Sequence, residues 1–159
     1  MHITFVFSFL LICTSFFTAN SVVSAKELEN HNPSSCALDG IALGGHDVVA
    51  YHVVNEAVLG DPNIIVEHET LIYQFSSDEN KQLFELEPVK YLPHFQGWCA
   101  IALTRNRLTC PDYKNFKVED GRLLLFETIT FFNGQDLWNS NPAKNLISAE
   151  RNFEKLVEE

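Results

Sequence analysis

The chain has 159 residues and a formal net charge of −10, with 11 basic against 21 acidic side chains. That length holds a single domain whose core does not depend on disulfides. The acidic balance, with no local basic cluster, argues against a nucleic-acid partner or an anionic membrane surface.

The first 25 residues differ from the rest. "ITFVFSFLLICTSFFTA" carries no charged side chain, and the first charge of the chain is Lys26. Val23 and Ala25 place small side chains where a signal peptidase reads. Residues 1–25 are therefore expected to be a secretory signal cut after Ala25. The protein is then secreted and extracellular, with no membrane contact after cleavage. As an anchor the stretch is near the lower length limit, is broken by Ser and Thr, and lacks a following basic cluster. "KELENHNPSS" (26–35) reads as a polar linker, and the domain proper runs over 36–159. Cys13 leaves with the signal. Cys36, Cys99 and Cys110 remain, an odd number in a compartment that permits disulfides.

In chain order, "DVVAYHV" (47–53) is β-rich and reads as a strand entered through Gly44-Gly45. "NIIVEHETLIYQF" (63–75) reads as two strands around a turn near His68–Glu69. Ser76 followed by Glu79 reads as a capping box. The helix it opens has Leu83, Phe84 and Leu86 as its apolar face and stops before Pro88. "PVKYL" makes one further turn. "WCAIAL" (98–103) reads as a buried strand after Gly97. "NFKVEDGRLLLFE" (115–127) is a hairpin on Asp120-Gly121, the preferred type I′ pair. Asn141-Pro142 opens a last helix, with Leu146, Ala149, Phe153 and Leu156 on one face. The expected class is α+β: a small antiparallel sheet with a short central helix and a C-terminal helix.

Four stretches in this order resemble the YHS-domain family, of the stand-alone secreted or periplasmic type. They are "ALGGHDVVAYH" (42–52), "YQFSSDENKQLFELEPVKYLPHFQGWCA" (73–100), "PDYKNFKVEDGRLLLF" (111–126) and the closing Leu137-Trp138, Ala149 and Phe153 pattern. Metal-associated YHS modules carry "FCS…C" where this chain has Phe75-Ser76-Ser77 and Asn80. Serine and asparagine replace thiolates poorly for soft metals, so that site is not carried over. The resemblance also bears on the cysteines. Cys99 lies in the Gly-aromatic-Cys-Ala segment that relatives share, which leaves Cys36 and Cys110 as the implied disulfide partners.

The candidate metal or ligand residues are His46, Cys99 and His94. His46 follows two glycines and is either a hydrogen-bonded loop residue or a ligand for a metal or small polar molecule. His94, after Pro93 and near Gly97-Trp98-Cys99, is the candidate to join it in space. Cys99 is either an inert buried side chain or a free thiol at the base of a pocket. Imidazole with thiolate suits zinc or copper. His52 and His68, on a strand and at a turn, are expected to face solvent. Asp47, Tyr51, Asn80 and Trp98 are pocket candidates, Asn80 also being placed to brace a neighbouring loop. The expected function is a non-catalytic ligand- or metal-binding or interaction module, its partner a small ligand or a protein. The alternative is a small thiol-dependent enzyme or redox protein using Cys99.

Overall fold

Turn chemistry and alternating side chains build most of the strands. The computed structural model describes residues 35–157. The signal-peptide expectation, and the linker up to residue 34, lie outside the described residues. Strands β1 (Ala37–Leu38) and β2 (Ile41–Ala42) turn on left-handed Asp39 and Gly40. Strands β3 (Asp61–His68) and β4 (Leu71–Phe75) form the predicted hairpin, with left-handed Glu69 at its tip. The four lie in the order β1-β2-β4-β3. β2 runs parallel to β4, so the sheet is mixed rather than purely antiparallel. A parallel neighbour requires a long crossover, and residues 43–70 supply it.

β5 (Asp112–Glu119) and β6 (Arg122–Phe126) form the second hairpin. Asp120 and Gly121 both have positive φ, 51° and 77°, as the predicted type I′ turn requires. A ribbon of β7 (Thr128–Ile129) and β8 (Phe132–Asn133) follows. The helices are α1 (Val48–Val53), α2 (Asp78–Leu86), α3 (Pro88–Tyr91), α4 (Ala100–Leu103), α5 (Gly134–Asn139) and α6 (Pro142–Val157). The domain is thus the α+β arrangement expected, with small sheets, short helices and a long terminal helix. At the start of α6 Asn141 accepts from Lys144 N–H at 3.4 Å. Leu146, Ala149, Phe153 and Leu156 pack on the cluster around Trp98, Leu103, Phe126 and Trp138.

Two expected strands are helical. Residues 47–53 form α1 because Asp47 caps it, its side chain accepting from Val49 and Ala50 N–H. Val48, Val49, Ala50 and Tyr51 are all buried, so packing on every side outweighs the β preference of the valines. In 98–103 Cys99 makes one isolated parallel bridge, to Leu125. The following Ala-Ile-Ala-Leu turns helical. A short, wholly buried apolar run has no periodicity to separate the two outcomes. The apolar face of α2 also narrows: Phe84 is buried, whereas Leu86 is 77% exposed.

β6 divides the interior. Leu123 and Leu125 point into one cluster with Tyr51, Phe75, Phe84 and Tyr91. Leu124 and Phe126 point into the other, with Trp98, Trp138 and Ala149. Alternation along one strand therefore serves two cores. Cys36 and Cys110 form the disulfide that the resemblance implied, with Cα atoms 5.6 Å apart, and Cys99 is free and buried.

Because the bond closes a sequence separation of 74 residues, replacing both Cys36 and Cys110 with Ala should lower stability by about 4 kcal/mol. Urea unfolding of the two proteins measures the difference. Recovery of a Cys99-linked peptide under non-reducing conditions would contradict the pairing.

Candidate functional site

Asp47 is the most heavily engaged polar side chain described. It is 0% exposed. Oδ1 accepts from Val49 N–H at 2.9 Å and Ala50 N–H at 3.3 Å. Oδ2 accepts from Ser76 N–H at 2.8 Å, the Ser76 hydroxyl at 2.6 Å and the Asn80 amide at 2.7 Å. The carboxylate thus joins the start of α1, the end of β4 and the first turn of α2. Helix capping passes from Ser76 to Ser77, whose hydroxyl accepts from Asn80 N–H at 3.2 Å. This corrects the capping-box expectation: Ser77 is the cap, and the exposed Ser76 gives its hydroxyl to Asp47 instead. Asn80 braces its neighbour, as one of its two expected roles had it. Its amide also lies 3.3 Å from the Ser76 hydroxyl.

The sequence held a signal for this arrangement. An Asp immediately before an apolar run is a helix N-cap, and positions 76 and 80 are spaced to share a side of one turn. The reading of 47–53 as a strand concealed it.

His46 is 8% exposed. Its Nδ1 lies 2.9 Å from the Leu43 carbonyl, and its ring packs on Tyr113 with centroids 5.7 Å apart. Left-handed Gly44 and Gly45 lead into it, and a Cβ on Gly44 would fall 2.6 Å from Tyr113 Cε2. The tyrosine ring therefore closes over the backbone beside His46. Cys99 sits in the other core, its sulfur accepting from Glu127 N–H at 3.1 Å. Burial pushes the Cys99 thiol pKa up. His94 Nε2 lies 3.8 Å from Glu150. Burial lowers the His94 pKa, Arg122 adds to the lowering, and Glu150 opposes both.

Among the described residues no group of three or more His, Cys, Asp and Glu side chains is arranged to hold a metal. His46, Cys99 and His94 accordingly do not converge as a donor set. Asp47, Tyr51 and Trp98 are buried. The Tyr51 hydroxyl donates to the Tyr113 carbonyl at 2.8 Å, and burial holds its pKa well above the ordinary phenol range. His52 and His68 are half-buried rather than solvent-facing, packed on Tyr91 and on Tyr73 and Phe84 respectively.

Two concavities flank the Leu92–Gln96 segment. On one side a cavity of about 180 Å³ lies against the Glu69–Thr70 turn and Tyr73. On the other an open groove of about 320 Å³ lies against α6. Phe95, Phe153, Leu92 and Val89 give the groove its apolar lining, and His94, Glu150 and Glu154 its polar one. Val89 is 82% exposed. Neither concavity is walled by Asp47, Tyr51, Asn80 or Trp98. The segment between them has Phe95 and Gln96 at φ 56° and 53°, left-handed and strained for non-glycine residues. It is held by Cys36 N–H bonding the Gln96 carbonyl at 3.3 Å, next to the disulfide.

No family model, curated protein or solved structure matches the chain.

Asp47→Ala removes the acceptor from five donors, of which the N–H groups of Val49 and Ala50 belong to buried residues. It should destabilise the domain by about 3 kcal/mol or more. Asp47→Asn keeps the shape but turns a donor toward donors, and should recover only part of that loss. Chemical denaturation of both variants measures the effect; a change under about 1 kcal/mol would show that the clamp is dispensable.

Proposed function

We propose that the chain is an extracellular, non-catalytic binding module of the YHS type. The observation that carries this reading is the convergence of Ser76 and Asn80 on one oxygen of Asp47. These are the two positions at which metal-associated YHS modules have cysteines. Their side chains lie 3.3 Å apart here, a separation suited to a paired site. In this chain hydrogen bonds to a carboxylate take the place of metal–thiolate bonds, and the clamp is structural.

Binding falls instead to the groove beside α6. Its apolar floor and two carboxylates, Glu150 and Glu154, fit an apolar amine: an aromatic or alkyl group that carries a cation. Two nearby cations are already paired, Lys90 with Glu87 at 3.4 Å and Arg122 with Asp120 at 3.0 Å. They therefore oppose an incoming cation weakly. The competing class, a thiol enzyme using Cys99, meets a buried sulfur whose pKa burial raises, with no cation among the described residues contributing to it.

Phenethylamine should bind with roughly millimolar affinity and shift the amide resonances of His94 and Glu150, whereas phenylpropionate should not. Glu150→Gln with Glu154→Gln should remove the preference for the amine. Equal binding of both probes, or shifts elsewhere only, would dismiss the groove.

A thiol reagent applied at neutral pH to protein recovered from culture medium should leave Cys99 unmodified until the chain is unfolded. The intact mass of the same sample should correspond to a chain beginning at Lys26. Rapid native labelling would favour the enzyme class, and retention of residues 1–25 would remove the extracellular assignment.

A further inference from the structure

We propose that the cavity between the Glu69–Thr70 turn and the Leu92–Gln96 segment binds one small polyol of monosaccharide size through its hydroxyl groups. The inference rests on the reading of the domain as a binding module, but it concerns the opposite side of the Leu92–Gln96 segment from the amine groove. At about 180 Å³ the cavity is smaller than the roughly 300 Å³ at which pockets begin to take drug-sized ligands. Its walls are mixed. Leu71, Leu92 and Pro93 are apolar, while Ser35, Thr70, Tyr73, Gln96 and Glu69 are polar.

The polar set is specific in kind. Ser35 is 7% exposed, and its hydroxyl is buried with no hydrogen-bond partner among the described residues. A buried hydroxyl without a partner costs free energy that a ligand hydroxyl would recover. Tyr73 is 5% exposed; burial, and then the Glu69 carboxylate, push its pKa up to about 12. Its phenol stays protonated and both donates and accepts. Thr70 and Gln96 also offer both roles. Glu69 supplies a charged acceptor at the rim, able to take two hydroxyl protons. Among the described residues no Lys or Arg lines the cavity, which disfavours anions. A single exposed carboxylate among four neutral amphoteric groups favours vicinal hydroxyls over a cation. The three apolar walls match the C–H face that a sugar ring presents beside its hydroxyls.

Backbone geometry supports a dedicated site. Glu69 and Gln96, on facing walls, both hold positive φ, 56° and 53°. At Glu69 this is the geometry of the hairpin turn, whereas at Gln96 such strain persists only where the surrounding structure over-determines it. Here a hairpin tip holds Glu69, and the Cys36–Gln96 hydrogen bond beside the disulfide holds Gln96.

A free monosaccharide and the terminal sugar of a glycan share this chemistry. The test is amide NMR on isotope-labelled protein that retains residues 26–34. D-glucose, D-galactose, D-mannose and their methyl glycosides are added up to about 50 mM. At least one should give saturable shifts at Thr70, Leu71 and Gln96. Tyr73→Phe, which keeps the packed ring, should weaken that binding by about tenfold, and the more exposed Thr70→Val by several-fold. Binding of the methyl glycoside as tightly as the free sugar assigns a glycan terminus; loss on methylation assigns a free sugar. Either outcome supports the inference. No saturable shift at these residues from any sugar, or unchanged affinity in both variants, overturns it. If the sugars fail while phenethylamine still shifts His94, this inference alone falls; if both fail, the binding-module reading falls with it.

Discussion

A buried carboxylate with no ion-pair partner among the described residues is the constraint on which the rest of the domain depends. Asp47 is fully enclosed, and hydrogen bonds alone compensate its desolvation. Two backbone N–H groups come from the first turn of α1 and one from the end of β4. The remaining two donors are the side chains of Ser76 and Asn80. Together they replace the water that the enclosed carboxylate has lost. The clamp thereby sets where α1 begins, where β4 stops and how α2 leaves it. It also withdraws Ser76 and Asn80 from any chemistry of their own.

The second constraint is the double use of β6. A strand whose two faces both enter apolar clusters cannot slip by one residue without exchanging Leu123 and Leu125 for Leu124 and Phe126. The type I′ turn at Asp120-Gly121 holds that register from one end. Parallel bridges from Pro93 and Cys99 to Leu123 and Leu125 tie the preceding segment to the same strand. The Leu92–Gln96 segment is thus anchored from below by β6 and from the side by Cys36. Its strained backbone stands between the groove and the cavity as a common wall.

This arrangement separates interior chemistry from accessible chemistry. The thiol of Cys99 and the carboxylate of Asp47 are enclosed and committed to backbone or side-chain donors. The side chains facing open space, His94, Glu150, Glu154, Glu69, Thr70 and Gln96, come from loops and from one face of α6. A rigid scaffold presenting polar groups on its connecting segments is the usual geometry of recognition.

The sequence by itself determined the features governed by local chemistry. The Asp120-Gly121 hairpin, the turn at Glu69, the stop before Pro88 and the apolar face of α6 each follow from turn dihedrals, proline sterics or helical period. The cysteine pairing was legible only through the family resemblance. Tertiary structure alone decided α4, because "AIAL" is buried on all sides and carries no periodic contrast; "VVAY" is equally buried, and its one local signal was Asp47 as an N-cap. Tertiary structure also decided that positions 47, 76 and 80, separated by up to 33 residues, meet around one carboxylate. Spacing along a chain cannot report such a meeting. It exists because packing encloses the carboxylate, and donors from elements distant in the chain compensate its desolvation.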